Sequence, residues 1–375
     1  MWFKRGFCLL LLFGALCLYT VAEEPAISSL SAVVYLPENG QVLYEKDGDT
    51  RRPMASTTKL MTALVAAETL DLSAELTVSA EAVRVEGSSL GLRGGDRITG
   101  QDLLTGMLLE SGNDAANAVA LTVEDSLEAF ALRMNQKARE LGMTHSGFVT
   151  PSGLDAEGHG ASARDMALLG AAVLENPTLA TICATKSTQI TFGNPPVTHT
   201  VSNHNRLLSK IEGCVGLKTG YTTKAGRCLV SAVMRNGITL VVTTLNGHDY
   251  WDDHQALYDY GFSRIQRLTL PEVTPPTLTV SGGVQKEVAL YCEVPTAPVV
   301  DTGATTSIEV RLELPAFMTA PINRGDTVGY VRYENNGGVL CSAPLFAAED
   351  VEALSVASPW TWWWHWFCAL LAAWG

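Results

Sequence analysis

At 375 residues the chain is long enough for about two domains around a large core, and its hydrophobic share of 47 % suits a globular protein. The net charge is −13, with no basic stripe and no block of like charge. That balance excludes the cationic surface by which nucleic-acid binders track phosphates, so no nucleic acid is expected as a partner.

Lys4 and Arg5 precede an apolar run from Phe7 to Tyr19, and Thr20-Val21-Ala22 offers the small or modest residues that a signal peptidase reads. Residues 1–22 therefore read as a cleavable signal, and the mature chain is expected outside the cytoplasm. Leu16 before Cys17 is too large for a lipid-attachment box. Ala32 to Leu36 and Gln41 to Tyr44 read as strands joined by the turn Pro37-Glu38-Asn39-Gly40. Pro53 and Ser56 both favour a helix start, and Leu60, Met61, Leu64 and Val65 follow at helical spacing. Further helices are expected over Gln101 to Leu109, Asn113 to Val123 and Ser126 to Leu141, the last closed by Gly142. Ser162-Ala163-Arg164-Asp165 is a capping-box variant that opens another helix ending before Pro177.

Strands then return. Cys228 to Arg235 and Ile238 to Leu245 flank Asn236-Gly237, a strong hairpin signal, and Val215 to Tyr221 is expected to pair beside them. Trp251 to Tyr260 reads as a closing helix with Gly261 as its stop. Strands at both ends with helices between them imply one domain, residues 23–267, whose antiparallel sheet is completed by distant parts of the chain. From Leu268 the prolines and short alternating runs indicate a small all-β module over 268–355. The last stretch, 358–375, carries Trp360, Trp362, Trp363, Trp364, Trp366 and Trp374. From Trp360 a helical tail would rise about 24 Å against a hydrocarbon core of about 30 Å, so it reads as an interfacial anchor at a membrane surface.

Of the eight cysteines, Cys8 and Cys17 fall in the signal, and the other six match no zinc pattern. Cys292 and Cys341 are candidates for a pair, and free buried thiols are equally compatible with the spacing. His248-Asp249-Tyr250-Trp251-Asp252-Asp253-His254 holds metal-ligand types, but it sits at a helix start where Asp suits the dipole, and no metal or other cofactor is expected. Asn203-His204-Asn205-Arg206 and Arg264 are weaker candidates for substrate contact.

Three short motifs carry chemistry. Ser56 and Lys59 lie three apart on one helical face, which makes Ser56 a candidate nucleophile and Lys59 its base, provided desolvation keeps the amine neutral. Ser111-Gly112-Asn113 falls between two helices, where Ser111 and Asn113 can both face a cleft. Lys218-Thr219-Gly220 falls on a strand expected to be internal to the sheet, and a glycine there marks close approach by a ligand or backbone.

In that order the three motifs resemble the D-alanyl-D-alanine carboxypeptidases, the low-molecular-mass penicillin-binding proteins. The similarity runs over roughly residues 25–265 and includes Met54-Ala55-Ser56-Thr57-Thr58-Lys59, Leu108-Leu109-Glu110-Ser111-Gly112-Asn113-Asp114, Pro151-Ser152-Gly153-Leu154-Asp155 and Gly216-Leu217-Lys218-Thr219-Gly220-Tyr221. The resemblance implies an α+β, β-lactamase-like transpeptidase fold: an antiparallel sheet flanked by helices, followed by a small all-β domain and an apolar anchor. It implies that Ser56 attacks the carbonyl between the two terminal D-alanines of a peptidoglycan stem peptide. Lys59 takes the proton, Ser111 relays it to the leaving amine, and Asn113 holds Lys59 and the substrate amide. Lys218 and Thr219 bind the terminal carboxylate, Gly220 leaves room for substrate along the strand edge, and the backbone N–H groups of Ser56 and Tyr221 form the oxyanion site. β-Lactams are then expected to acylate Ser56 as substrate mimics. The glutamate pattern of class A β-lactamases is missing around Leu174-Glu175-Asn176-Pro177, which disfavours that reading. A DD-endopeptidase and a low-turnover β-lactam-binding or wall-sensing protein are the alternatives.

Overall fold

The structure is a computed structural model that describes residues 23–302, 307–335 and 338–354, with positions 363, 364 and 367. The signal segment lies outside the described residues, as does most of the Trp-rich tail. Contacts divide the chain into two compact units that part between Gln266 and Arg267, with Asp301 and Thr302 counting with the first.

The first unit opens with the hairpin β1 (Ser31–Leu36) and β2 (Gln41–Lys46). A 3₁₀ turn over Ala55–Thr58 runs directly into α1 (Lys59–Thr69), so Ser56 stands on the tight turn and Lys59 on the first residue of the α-helix. Every α1 residue from Lys59 to Ala66 is buried, because the helix runs through the middle of the helical layer. The short strands β3 (Glu75–Thr77) and β4 (Arg97–Thr99) follow, then α2 (Gly100–Leu109), α3 (Asn113–Val123) and α4 (Leu127–Glu140). Thr99 and Ser126 cap α2 and α4 by accepting from the N–H groups of Asp102 and Ala129.

Helix α5 (Ala163–Glu175) is capped by Ser162, whose hydroxyl accepts from Asp165 N at 3.1 Å. The Asp165 carboxylate does not close the box; it accepts from His145 N and Ser146 Oγ, each at 2.7 Å, and so anchors the preceding loop. Pro177 does not end the helical region. It starts a second helix, α6 (Pro177–Ala184), as its first residue, where a missing N–H costs nothing. A hairpin of β5 (Ser187–Gly193) and β6 (Pro196–Ser202) adds to the short strands in the order β3-β4-β5-β6, an outlying sheet that the sequence reading missed.

After the single turn α7 (Leu207–Lys210) come β7 (Cys214–Thr222), β8 (Gly226–Arg235) and β9 (Ile238–Gly247), then α8 (Tyr250–Arg264). The main sheet is antiparallel in the order β2-β1-β9-β8-β7. The β8–β9 turn is made by Asn236 and Gly237 with φ of 51° and 72°, the left-handed pair that a two-residue hairpin needs. Helices cover both faces. A Cβ on Gly170 of α5 would stand 3.0 Å from Val230 and Val241, and one on Gly261 of α8 would stand 2.8 Å from Leu240 and 2.9 Å from Val34. Leu240 and Val241 are neighbours on β9, so their side chains point to opposite faces and mark the two layers. Gly261 therefore does not stop α8, which continues to Arg264; it lets the helix press onto the sheet. With both faces covered, β8 is buried from Cys228 to Val233, each large aliphatic contributing roughly 1.5–3 kcal/mol.

The expectation that Lys218-Thr219-Gly220 lies on an internal strand is not met: β7 is the sheet's edge. The physical reason lies in Gly220, where a Cβ would meet Met54 O, Ser56 N and Thr57 N, each at 3.0 Å. The edge of β7 is pressed against the Ser56 turn instead of against another strand. The described cysteines Cys183, Cys214, Cys228, Cys292 and Cys341 are all free, so the candidate pair of Cys292 and Cys341 is not formed.

Among the described residues of the second unit up to Leu354, every regular element is a strand. One sheet runs Leu290–Cys292, Gly338–Ala347, Thr327–Asn335, Glu309–Glu313, and a smaller one pairs Leu278–Ser281 with Glu287–Val288 and, in parallel, with Met318–Thr319. Val280, Val288, Ile322 and Val351 fill its core.

Candidate active site

Ser56 sits where the backbone is forced. Ala55, just before it, has a φ of 48°, a left-handed conformation that costs a non-glycine residue about 1 kcal/mol or more. Gly153, with a φ of 89°, packs against that turn so closely that a Cβ would lie 2.0 Å from Ala55 O. The turn is thus held by a neighbour that only glycine can supply.

Lys59 is fully buried beneath Ser56. Its Nζ lies 2.9 Å from Ser56 Oγ, 2.7 Å from Asn113 Oδ1 and 2.7 Å from the Ser152 carbonyl. The Asn113 amide is oriented by its other end, since Nδ2 donates to Glu86 O at 2.7 Å. Asn113 Oδ1 and Ser152 O can only accept. A neutral Lys59 gives its two hydrogens to them, and its lone pair is left for the one neighbour with a hydroxyl, Ser56. Burial holds the Lys59 amine well below the usual lysine range, and the positive charge of Lys218 pushes it the same way, against a smaller opposing pull from Asp114. The environment therefore favours the base form.

Lys218 is also buried, and burial brings its pKa down to about 8, opposed by Cys183 and Glu110. Its Nζ donates to Thr219 O at 3.2 Å. Ser111, between α2 and α3, has a φ of 63° that turns the chain back toward the cleft. Asp114 accepts from Ser89 Oγ at 2.7 Å and from the N–H groups of Leu90, Gly91 and Leu92 at 2.8, 2.9 and 3.0 Å, so it gathers the loop that borders the cleft.

Over this cluster lies a cleft of about 630 Å³ lined by Ser56, Ser88, Ser111, Asn203, His204, Arg206, Thr219, Gly220, Tyr221, Arg227, Tyr250 and Trp251. The model of the D-alanyl-D-alanine carboxypeptidase family matches residues 19–249, and that of the penicillin-binding protein 5 C-terminal domain matches residues 273–353. The chain belongs to the D-alanyl-D-alanine carboxypeptidases. Among this family, the carboxypeptidase DacF of Bacillus subtilis is 30 % identical over 88 % of this chain and 87 % of its own. An Escherichia coli D-alanyl-D-alanine endopeptidase is 34 % identical over 60 % of this chain and 73 % of its own. Penicillin binding protein 5 from Haemophilus influenzae superposes with a TM-score of 0.64 at 26 % identity, covering 88 % of this chain and 98 % of that one.

In this carboxypeptidase Ser56, Ser111, Thr219, Gly220 and Tyr221 line the cleft, while Lys59, Asn113 and Lys218 lie buried behind it. Lys218, nearly wholly covered, reaches the cleft through its field. Arg264 does not line the cleft: it is at the far end of α8, with its guanidinium on the Tyr260 hydroxyl at 3.0 Å. The cationic wall comes from Arg206 and Arg227 instead. The metal-like stretch is structural. His254 is fully buried between Ser231 Oγ and Thr244 Oγ1, 2.7 and 2.9 Å from its ring nitrogens, and Asp253 accepts from Ser28 and Ser29. Sequence reasoning missed Asp114, Ser152, Arg227 and Tyr250 as parts of the site. Ser152 offers only a carbonyl, which no side-chain pattern reports. Arg227 was within reach, because it pairs with Tyr221 across the β7–β8 ladder.

Proposed function

We propose that the chain removes the terminal D-alanine from peptidoglycan stem pentapeptides through an acyl-enzyme on Ser56. The observation that carries this reading is the set of three partners around Lys59, which leaves its lone pair to the Ser56 hydroxyl. Ser56 Oγ attacks the carbonyl carbon of the penultimate D-alanine while its proton passes to Lys59 Nζ. The oxyanion is taken by the N–H groups of Ser56 and Tyr221, and the C–N bond breaks as Ser111 passes a proton to the departing amine. Water then attacks the ester, restoring Ser56 and releasing the shortened stem. Arg206 and Arg227, with Thr219 and the field of Lys218, receive the substrate's carboxylate. A β-lactam enters the same path, its strained amide opening onto Ser56.

The signal-like N-terminus supports export. Trp363, Trp364 and Phe367 are helical and exposed, which supports attachment to the outer face of the cytoplasmic membrane through the tail, with 23–267 as the catalytic domain and 268–355 as its accessory β domain. Among the described residues no single helix is long and apolar enough to cross a membrane.

The test is D-alanine release from a soluble stem pentapeptide by protein lacking the signal and the tail, beside Ser56→Ala. Release that vanishes in the variant is expected. Cleavage of crosslinked muropeptides alone would point to an endopeptidase, and a stable penicillin adduct without peptide turnover would point to a sensor.

A further inference from the structure

We propose that His159 is a positioning residue that, through the Thr58 hydroxyl, sets the direction of the Ser56 amide. This rests on the reading of Ser56 as nucleophile and of its N–H as an oxyanion donor. His159 does not line the cleft; it is buried and joined to the turn before Ser56 by a chain of hydrogen bonds.

The chain has one possible polarity. Val149 N donates to His159 Nδ1 at 3.0 Å and Thr150 N approaches the same atom at 3.4 Å, so Nδ1 is the acceptor and the ring's hydrogen lies on Nε2. Nε2 is 3.0 Å from Thr58 Oγ1 and must donate to it. The single Thr58 hydroxyl hydrogen is thereby left for Ala55 O, 2.8 Å away. A protonated ring would set a second N–H against the Val149 and Thr150 donors. Burial keeps the ring neutral by lowering its pKa to about 4.

Ala55 O and Ser56 N belong to one planar trans peptide, so the carbonyl and the N–H point in opposite directions. Fixing Ala55 O toward Thr58, with Gly153 closed against the same oxygen, turns the Ser56 N–H the other way. That side is the edge of β7, since the position of a Gly220 Cβ is 3.0 Å from Ser56 N. The left-handed φ of Ala55 gives this peptide an alternative conformation to relax into. His159 and Thr58 oppose that relaxation.

The experiment measures the acylation rate constant and the preceding dissociation constant with a fluorescent penicillin, per folded protein. The variants are His159→Ala, His159→Gln, Thr58→Val and His159→Ala/Thr58→Val, with Ser56→Ala as control. His159→Ala and Thr58→Val should each slow acylation about tenfold to hundredfold, less than the roughly hundredfold to thousandfold of losing an oxyanion donor outright. The dissociation constant should stay within about twofold, and the double variant should be no slower than the slower single one, because the two residues act in one chain. Glutamine can accept from Val149 N and donate to Thr58, so His159→Gln should recover most of the rate. Wild-type acylation in His159→Ala, or losses that multiply in the double variant, would overturn the proposal. If His159→Ala does not fold, Thr58→Val and His159→Gln carry the same decision: an unimpaired Thr58→Val would overturn it. Acylation that persists in Ser56→Ala would instead sink the assignment of the nucleophile, a separate failure.

Discussion

The Ser152 carbonyl stands 2.7 Å from Lys59 Nζ, and this one backbone atom helps to decide what the lysine can do. With Asn113 Oδ1 it consumes both hydrogens of a neutral amine and aims the remaining lone pair at Ser56.

A base held this way is not replaced by another cation. Lys59→Arg puts a permanently charged group in a buried site and removes the lone pair, so acylation should fall by at least the 10²–10⁴-fold typical of a lost general base. Penicillin acylation of Lys59→Arg and Lys59→Ala, beside thermal melts, tests this. A variant that folds and acylates within tenfold of wild type would exclude Lys59 as the base.

The two buried lysines predict the pH profile of peptide hydrolysis. The Lys59 amine is the reactive form, so kcat/KM should rise with pH through its depressed pKa. Lys218 supplies positive charge only while protonated, so the rate should fall again above about pH 8. Removing that charge in Lys218→Gln lets the Lys59 pKa rise, which should move the acid limb to higher pH, lower the plateau and remove the alkaline limb. An acid limb that stays in place would mean that Lys218 does not act on Lys59. The same displacement bears on stability. Lys218 binds its proton more weakly when folded, so between about pH 8 and the unfolded lysine value the unfolded state holds more protons. Stability from this group therefore rises with pH across that window.

Much of the fold was legible because its signals are local. The Asn236-Gly237 turn, the Ser126 and Ser162 caps and the apolar spacing after Lys59 each state a backbone conformation within a few residues. The edge position of β7 was not legible, because a strand that abuts a tight turn and one that abuts another strand use the same apolar residues. Gly261 was misread for a related reason: a glycine that ends a helix and one that lets a helix approach a sheet are the same letter. The convergence of Ser56, Lys59, Asn113 and Ser111 came from motif resemblance, since chain separations of about fifty residues carry no periodic signal. Asp114 gave no sign of its role, as its partners are mostly backbone N–H groups.

Asp114 predicts a loss that combines stability with rate. Asn in its place keeps one acceptor but turns an N–H₂ toward donors, and each lost charge-assisted bond is worth about 1.5–3 kcal/mol. Asp114→Asn should lower the melting temperature by several degrees and slow acylation through the displaced 88–92 loop. An unchanged melt with unchanged kinetics would show the loop to be held by other contacts.

Gly153 and Gly220 separate folding from chemistry. Alanine at 153 meets Ala55 O at 2.0 Å in a left-handed backbone, so Gly153→Ala should fold poorly or not at all. At 220 the added carbon meets three backbone atoms at 3.0 Å, a gap that a shift of a few tenths of an ångström can open. Gly220→Ala should therefore fold yet acylate at least tenfold more slowly, because the Ser56 turn and β7 are moved apart. Circular dichroism and penicillin labelling distinguish the two; a well-folded, fully active Gly153→Ala would contradict the packing.

Arg227 should govern substrate binding more than turnover. It lies over the Tyr250 ring at 5.6 Å, opposite Tyr221 across the ladder, and among the described residues neither it nor Arg206 meets a carboxylate. A guanidinium that lines a cleft without an acidic partner is free to take one from the substrate, and bidentate geometry suits a terminal carboxylate. Arg227→Ala should raise KM for a stem pentapeptide about tenfold or more, with a smaller effect on kcat, and Arg227→Lys should recover only part of it because the fork is lost. An amidated pentapeptide, which lacks the carboxylate, should be a poor substrate for wild type and lose little further in Arg227→Ala. If the amidated and free peptides suffer equally from the substitution, the arginine contacts something other than the carboxylate.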